Sequence, residues 1–288
     1  MVSAAPSEFN IDAESFSSQY RNRLPVVLKG SVAHWPAVRL PWGDRETIAH
    51  TLGGAEKEIR VQTSKDGMHF PAVYRRGPDT EASTIGAALE STIFSGGETS
   101  GCHHRRIYCK LSVPAALSAV TGGLPAAFGP QPTAGANTAG ETTFWMGSGG
   151  VITPLHFDHC HTVIAQIHGW KRVLMVSPED SAHVYPFSVA DGATRVSRIA
   201  LDAWNACDPD QRRRFPEVAK ATQYEVILEP GDVIYIPPAW WHHVEALEGN
   251  VSLLLPFNMS RTEQQALPRP WTLPTWGVYN SEEVADDS

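Results

Sequence analysis

The chain has 288 residues, of which 42% are hydrophobic and 19% are charged, an ordinary balance for a globular protein. Its formal net charge is −8, and because a non-specific nucleic-acid binder usually carries a basic stripe, nucleic-acid partners are disfavoured. The amino terminus lacks the features of a signal peptide, and no apolar run approaches the ~20 residues of a membrane helix. We therefore expect no membrane partner and a reducing, cytoplasmic setting.

The first part of the chain, residues 1–141, predicts helices and supporting strands. Helices are expected over residues 9–22, 45–52 and 83–92. Strands are expected over residues 24–30, 59–62 and 106–111. The polar segment 64–80 and the small-residue segment 129–140 are expected to be surface loops that contact substrate, because loops on a rigid core commonly carry recognition.

From residue 142 to residue 258 the chain alternates short apolar segments with turns that contain Gly and Pro. Strands are expected over residues 142–147, 151–157, 162–168, 171–176, 223–229, 232–236, 242–246 and 250–257. Many short strands of this kind indicate a sandwich or barrel. A partly helical insertion, 178–220, interrupts this core, and residues 259–288 form a tail. We expect residues 1–288 to form a single domain with an all-β core and flanking helices.

Two potential metal ligands, His156 and Asp158, stand two residues apart in the segment 153–158 (TPLHFD). On a strand, residues i and i+2 point to the same face, so both side chains can bind one ion. His242, in a later strand, would supply a third ligand. Two histidines and one carboxylate on one side of an octahedral ion leave the other positions open, which is typical of non-haem Fe(II) oxygenases.

Neighbouring side chains leave alternatives open. Cys160 would share the face of the carboxylate if the strand continued, although it would lie ~6–7 Å farther along the strand axis. His159 and His161 would point the other way, as ordinary strand residues or substrate-facing groups. Alternation lets only one of His242 and His243 face the ion, and the pattern does not choose between them.

Three segments in this order resemble the JmjC family. They are TPLHFD at 153–158, AQIHGWKRV at 165–173, and the stretch from Pro230 to Glu245 that contains PGD and WHHVE. The chain is similar in particular to the cupin-like branch that contains the asparaginyl hydroxylase acting on hypoxia-inducible factor. The resemblance is dense over residues 142–258 and looser before them. It implies a double-stranded β-helix, a cupin-like jelly-roll barrel that binds Fe(II) and 2-oxoglutarate.

The resemblance also implies roles for single residues. The family's three metal ligands correspond to the candidates named above, His156, Asp158 and His242. Its lysine for the far carboxylate of 2-oxoglutarate corresponds to Lys171, and a buried carboxylate does need such a partner, since leaving it unpaired is costly. Thr153 and Tyr108 match family residues that bond the same carboxylate. The alternatives for these last three residues are a solvated strand lysine, a turn hydroxyl and a core aromatic ring.

The function implied is that of a 2-oxoglutarate-dependent dioxygenase that uses O2 and hydroxylates an amino-acid side chain in a protein or peptide. The same chemistry on a free amino acid or a natural-product small molecule is an alternative, and so is a non-catalytic metal-binding cupin. Histone demethylation is a further possibility, without a chromatin-reader or zinc module to support it. The chain departs from the asparaginyl hydroxylase at Thr162, Pro256 and Asn258, so the substrate of that enzyme is not implied.

Overall fold

The computed structural model describes residues 2–9, 11–70, 79–94, 105–112, 142–188, 191, 193–257 and 259–266. The described strands are β1 Val2–Ala4, β2 Ser7–Glu8, β3 Val26–Leu28, β4 Glu58–Thr63, β5 Asp79–Thr84, β6 Tyr108–Ser112, β7 Thr143–Gly147, β8 Ile152–His156, β9 His161–His168, β10 Lys171–Val176, β11 Gln223–Leu228, β12 Val233–Ile236, β13 Trp241–Ala246 and β14 Asn250–Phe257. The described helices are α1 Ala13–Ser15, which continues as a π-helix over Phe16–Tyr20, α2 Arg45–Thr51, α3 Ile85–Thr92, α4 Leu201–Asn205, α5 Pro209–Arg214 and α6 Arg261–Ala266, with 3-10 helices at Pro178–Val184 and Pro216–Lys220.

The strands form two sheets that face each other. One has the order β1-β11-β10-β13-β8, and the other has the order β2-β3-β12-β9-β14-β7-β6-β4-β5. An apolar cluster between them takes Val173 and Met175 from the first sheet and Ile164 and Ile234 from the second. Burial of these side chains from both sheets drives their association. The all-β jelly-roll core with flanking helices is therefore as predicted.

Each sheet is also covered on its outer face. The nine-stranded sheet packs against the N-terminal region through Phe16, Ile48 and Leu89. The five-stranded sheet packs against the segment 178–220, where Trp204 and Phe215 meet the outward side chains of β10 and β13. Strands β8, β10 and β13 thus lie between two apolar layers, which fixes the position of any functional side chain that they carry.

The predicted core strands are all present to within one or two residues, whereas two N-terminal elements differ from the prediction. The first helix begins at Ala13 rather than near residue 9, because the Asp12 carboxylate accepts a hydrogen bond from the Ser15 amide at 2.7 Å and caps it there. Strand β5 was missed because its sequence is polar, yet it pairs with β4 along its whole length. As a result, α3 starts at Ile85, two residues later than predicted.

Several predictions concern parts of the chain outside the described residues. These are the middle of the expected loop 64–80 (residues 71–78), the loop 129–140, the tail from residue 267 and Asn258. Within the described residues, no helix is both long enough and apolar enough to cross a membrane.

Helix α5 ends in three consecutive arginines, the longest basic run in the sequence. Asp210 pairs with Arg213 at 2.5 Å and with Arg214 at 3.4 Å. The guanidinium of Arg212 lies 3.5 Å from the centre of the Trp204 ring. These three cations are therefore engaged within the insertion itself.

Candidate metal centre

His156, Asp158 and His242 converge on one point between the sheets. Each offers one ligand atom, and these atoms all lie within 4.8 Å of one another. The two imidazole rings are 4.2 Å apart between centroids, and His242 Nε2 lies 3.7 Å from Asp158 Oδ2. Among the residues that the structure describes, this is the one cluster of three or more such side chains close enough to share a metal ion.

Strand pairing sets the separation of the two histidines. Strands β8 and β13 are antiparallel neighbours, and His156 lies directly opposite His242. Side chains opposite each other in such a pair have Cβ atoms ~4.5–5.5 Å apart. His243 faces the other side of the sheet, because it lies opposite Leu174, a member of the outer cluster under the insertion. The structure therefore brings His242, and not His243, to the metal cluster.

Asp158 reaches the cluster from outside the strand, contrary to the prediction. Strand β8 ends at His156, and the next amide, that of Phe157, donates to the carbonyl of Arg195 at 3.0 Å. The Asp158 carbonyl accepts from the amide of Ala239 at 2.9 Å. Ala239 has a left-handed backbone (φ +69°), which costs a non-glycine residue ~1–2 kcal/mol. A strained turn before β13 thus holds the carboxylate segment next to the histidine segment.

Both candidate histidine ligands carry their proton on Nδ1. His156 Nδ1 lies 2.8 Å from the Pro154 carbonyl, and His242 Nδ1 lies 3.0 Å from the Trp240 carbonyl. A carbonyl oxygen can only accept, so Nδ1 is the donor and Nε2 keeps its lone pair. Burial lowers the pKa of His156 to about 3, so this imidazole is neutral at physiological pH. Neutral imidazole is the form that binds metal ions.

The Asp158 side chain is held in its ionised form. Burial raises the pKa of this carboxyl, but the two imidazoles, a nearby guanidinium and a hydrogen bond together outweigh burial, so the pKa lies below its ordinary value. The guanidinium is that of Arg195, 3.8 Å from Oδ1, and the hydrogen bond comes from the Thr162 hydroxyl, 3.2 Å from Oδ2. Two imidazoles and one carboxylate suit a divalent iron ion and leave half of its coordination positions free.

The rival ligands do not join this cluster. The Cys160 thiol is not among the ligand atoms that lie within 4.8 Å of one another, and burial raises its pKa to about 12. His161 lies on the outer side of the nine-stranded sheet, where its Nδ1 is 2.8 Å from the Tyr235 hydroxyl and its ring stacks on Phe257. The expectation that His161 points away from the metal ligands is thus confirmed.

Lys171 is a buried ammonium that faces the same interior. It opens β10, is 3% exposed, and donates a hydrogen bond of 2.5 Å to the Ser252 hydroxyl. No ion pair to Lys171 is present in the described part of the chain. Burial lowers its pKa to about 7. A buried cation without a counter-charge is costly, so this position fits a ligand that carries an anionic group.

Tyr108 and Thr153 lie near Lys171. A hydrogen bond joins their two side chains. Tyr108 packs in a cluster with Ala246, the residue directly opposite Lys171 on β13. Gly147 makes room for the phenol, because a Cβ there would stand 2.9 Å from the ring. The structure therefore gathers the three predicted co-substrate residues at one end of the interior.

A bulge in β8 explains how Thr153 and His156 share that interior. They are three residues apart, so regular alternation would place them on opposite faces. The pairing with β13 shifts between His242 and Val244, so that His156 lies opposite His242 and Thr153 lies opposite Val244. His242 and Val244 are two apart and share a face. The extra residue in β8 turns both side chains inward.

Ser252 and Arg195 contact the candidate residues but escaped the sequence analysis. Ser252 carries the one hydroxyl in the otherwise apolar segment 251–255. A polar residue at this position of a core strand was the sequence feature that could have marked it as a site residue. Arg195 lies in the insertion, and it reaches Asp158 because Val196 pairs with His156 along the edge of β8. That pairing is long-range and leaves no local pattern.

Comparison with known proteins gives a consistent result. Residues 12–263 match the family described as the cupin-like domain. JmjC domain-containing protein 5 of Drosophila melanogaster is 35% identical over 102 residues, which make up 35% of this chain and 24% of that protein. HSPB1-associated protein 1 of Rattus norvegicus is 33% identical over 168 residues, 50% of this chain and 34% of that protein. tRNA wybutosine-synthesizing protein 5 of Danio rerio is 30% identical over 261 residues, 86% of this chain and 73% of that protein.

The chain spans about a quarter to a third of the length of the fly and rat relatives, so those two similarities concern one part of each protein. The family match, in contrast, covers most of this chain and contains both strands that carry the histidine ligands. The jelly-roll core and the His-Asp-His cluster agree with that match. The chain belongs to the cupin-like JmjC family of oxygenase-type enzymes, which generally use Fe(II) and 2-oxoglutarate.

Proposed function

We propose that this protein is a Fe(II)- and 2-oxoglutarate-dependent dioxygenase that hydroxylates an amino-acid side chain in a protein or peptide. In this proposal His156, Asp158 and His242 hold the iron, and Lys171, Thr153 and Tyr108 hold the far carboxylate of 2-oxoglutarate. The observation that carries the proposal is the buried Lys171 ammonium, which shares one interior with a three-ligand cluster and has no anionic partner in the described chain. A structural zinc site would instead close its coordination with a fourth ligand.

When bound, the iron and 2-oxoglutarate would supply the oxygen chemistry, in which O2 is consumed, 2-oxoglutarate gives succinate and CO2, and one oxygen atom enters a C–H bond of the substrate. The protein's own contribution is to bind and orient. The two imidazoles are oriented by bonds from Nδ1 to the backbone, which leave Nε2 to face the metal position. Lys171 supplies the positive charge for a carboxylate, and the apolar cluster between the sheets keeps water away from it.

The choice of substrate is the finer part of the proposal. The resemblance to JmjC enzymes favours an amino-acid side chain as the substrate, so peptides are the first substrates to test. A free amino acid or a natural-product intermediate would need the same metal and co-substrate residues. Similarity to a tRNA wybutosine-synthesizing protein over 86% of the chain makes tRNA a third probe, although the net charge of −8 disfavours it. Demethylation of a lysine would be recognised by the release of formaldehyde together with succinate.

The test is turnover of 2-oxoglutarate by protein purified without metal and reconstituted with Fe(II) and ascorbate. We expect release of succinate that requires iron and O2 and that rises when a substrate peptide is added. Asp158→Ala should abolish it, whereas Asp210→Ala, a change at an exposed carboxylate in the insertion, should not. A non-catalytic cupin predicts metal binding without succinate under every condition, and that result would refute the proposal.

Two further parts of the proposal concern the setting of the protein. We place it in the cytoplasm, where a reducing environment keeps iron ferrous. We also treat residues 1–288 as one functional domain, with 142–258 as its jelly-roll core, 178–220 as an insertion and 259–288 as a tail. Size-exclusion chromatography with light scattering would give the oligomeric state.

A further inference from the structure

A lysine and a tryptophan extend the interior surface beyond the residues assigned to the co-substrate. Ser252, which contacts Lys171 inside the core, lies directly opposite Trp145 on β7. Trp145 in turn lies opposite Lys110 on β6. Directly opposed residues in an antiparallel sheet point to the same face, so Trp145 and the exposed Lys110 lie on the same face of the sheet as Ser252. The Lys110 Nζ lies 5.5 Å from the centre of the Trp145 ring.

Strand register shows that Lys110 lies nearer to the metal cluster than Tyr108 does. Along β6, residues from Tyr108 to Ser112 run opposite Gly147 back to Thr143. Along β14, the matching direction leads towards Phe257, which lies opposite His161 at the start of β9. His161 follows the ligand Asp158 by only three residues. Lys110 is thus one side-chain repeat, ~6–7 Å, closer than Tyr108 to the end of the core where the metal ligands sit.

Two cations lie towards the metal end of this interior, and in the described chain neither pairs with a carboxylate other than a candidate metal ligand. Lys110 is exposed and has no ion pair within the described residues. Among the residues that the structure describes, Arg195 pairs with Asp158 at 3.8 Å, and that carboxylate is a ligand that a metal ion would share. A divalent ion bound there would repel the guanidinium and weaken its attraction to Asp158. Both cations would then be available to a group outside the co-substrate pocket.

We infer that the primary substrate carries a carboxylate, held by Lys110 against Trp145 and approached by Arg195, and that it is a peptide with an acidic side chain close to the oxidised residue. This inference rests on the proposed function. The net charge of −8 repels anions in general, so a local pair of cations at the reaction site selects an anionic group against that background. The same net charge disfavours a long polyanion as substrate, because such a molecule would extend beyond the two cations and be repelled by the acidic protein.

The test measures binding rather than turnover. The wild-type protein, loaded with Zn(II) and N-oxalylglycine, is presented with two randomised hexapeptide pools, one with a fixed Asp and one with Asn at the same position. We expect the Asp pool to bind about tenfold more tightly, as a charge-assisted contact gives. Lys110→Gln should reduce that preference to within about twofold, and Lys110→Glu should reverse it. A random RNA 12-mer serves as the third probe.

Controls separate this inference from the proposed function. Lys220→Gln, at an exposed lysine in the 3-10 helix Pro216–Lys220, should keep the wild-type preference. Stabilisation of all variants by Zn(II) and N-oxalylglycine should be equal, and its absence in the wild type would refute the proposed function instead. An unchanged preference in Lys110→Gln, or equal binding of the two pools by the wild type, would overturn the inference. If the wild type binds the RNA and neither peptide pool, and Lys110→Gln loses the RNA binding, the inference of an acidic peptide is overturned in favour of a nucleic-acid substrate.

Discussion

Replacing Lys171 with methionine should stabilise the protein without ligands while weakening its hold on 2-oxoglutarate. Methionine keeps the length of the side chain and removes its charge. Burial lowers the lysine pKa from 10.5 to about 7, so the unfolded chain binds the proton more tightly than the folded one. At pH 7 this difference costs the folded state about 4 kcal/mol. The substitution removes this cost, but it also leaves the Ser252 hydroxyl without its hydrogen-bond partner, which destabilises the folded state by roughly 1 kcal/mol.

The expected net change is therefore about 3 kcal/mol of added stability at pH 7, or roughly 6–10 °C in melting temperature. The sign of the linkage gives a second check. Because the folded pKa is the lower one, the penalty fades as pH rises from about 7 towards 10.5. Near pH 10 the penalty is only about 1 kcal/mol, so after the cost at Ser252 the net gain in stability should fall to about zero. Lys220→Met, at an exposed lysine, should change stability by less than ~0.5 kcal/mol at either pH.

Thermal and urea unfolding in EDTA, followed by the same scans with Zn(II) and N-oxalylglycine, would measure both effects. Ligand at a hundredfold excess over its Kd should stabilise the wild type by about 2.7 kcal/mol, and most of that gain should be missing in Lys171→Met. The reasoning fails if the variant is less stable than the wild type at pH 7. It fails equally if the variant gains as much from the ligand as the wild type does.

Three other substitutions probe the same interior. Asp158→Ala should weaken zinc binding at least ~100-fold in calorimetric titration, while Asp210→Ala leaves it unchanged, because only the first removes an atom of the ligand cluster. Ser252→Ala should raise KM for 2-oxoglutarate about fivefold and keep kcat within about twofold, since it frees the Lys171 ammonium; a fall in kcat alone would contradict this. Gly147→Ala should destabilise the fold by ~1–3 kcal/mol and weaken N-oxalylglycine binding, because the added Cβ meets the Tyr108 ring at 2.9 Å, whereas Gly43→Ala, with no atom within 4 Å, should do neither.

The parts of the fold that sequence could predict are those that local pattern encodes. The core strands are short apolar runs between Gly and Pro turns, and periodicity marks them to within one or two residues. The start of helix α2 has the same local character, since the carboxylate of Asp44, just before Arg45, accepts from the Thr47 amide. Strand β5 fails this test because its sequence is polar, and only its pairing with β4 makes it a strand.

The candidate site shows the same division more sharply. The sequence predicted the three residues of the His-Asp-His cluster. It did not predict how Asp158 reaches the cluster, because the strand that was expected to carry Asp158 ends at His156. Regular strand alternation would place Thr153 and His156 on opposite faces, and only the bulge in β8 turns Thr153 inward. The contact of Arg195 with the carboxylate depends on pairing between the insertion and the edge of β8, 37 residues later in the chain. Each of these is set by tertiary pairing, which carries no local signal.

The turn at Ala239 has a consequence for how this protein can change. Its amide, and not a side chain, ties the segment that carries the acidic ligand to the strand that carries the second imidazole. The imidazoles are likewise aimed by carbonyls two residues before them in the chain. Backbone hydrogen bonds therefore set the metal-binding geometry. The side chains around the site can change to suit a new substrate while the ligand atoms keep their positions.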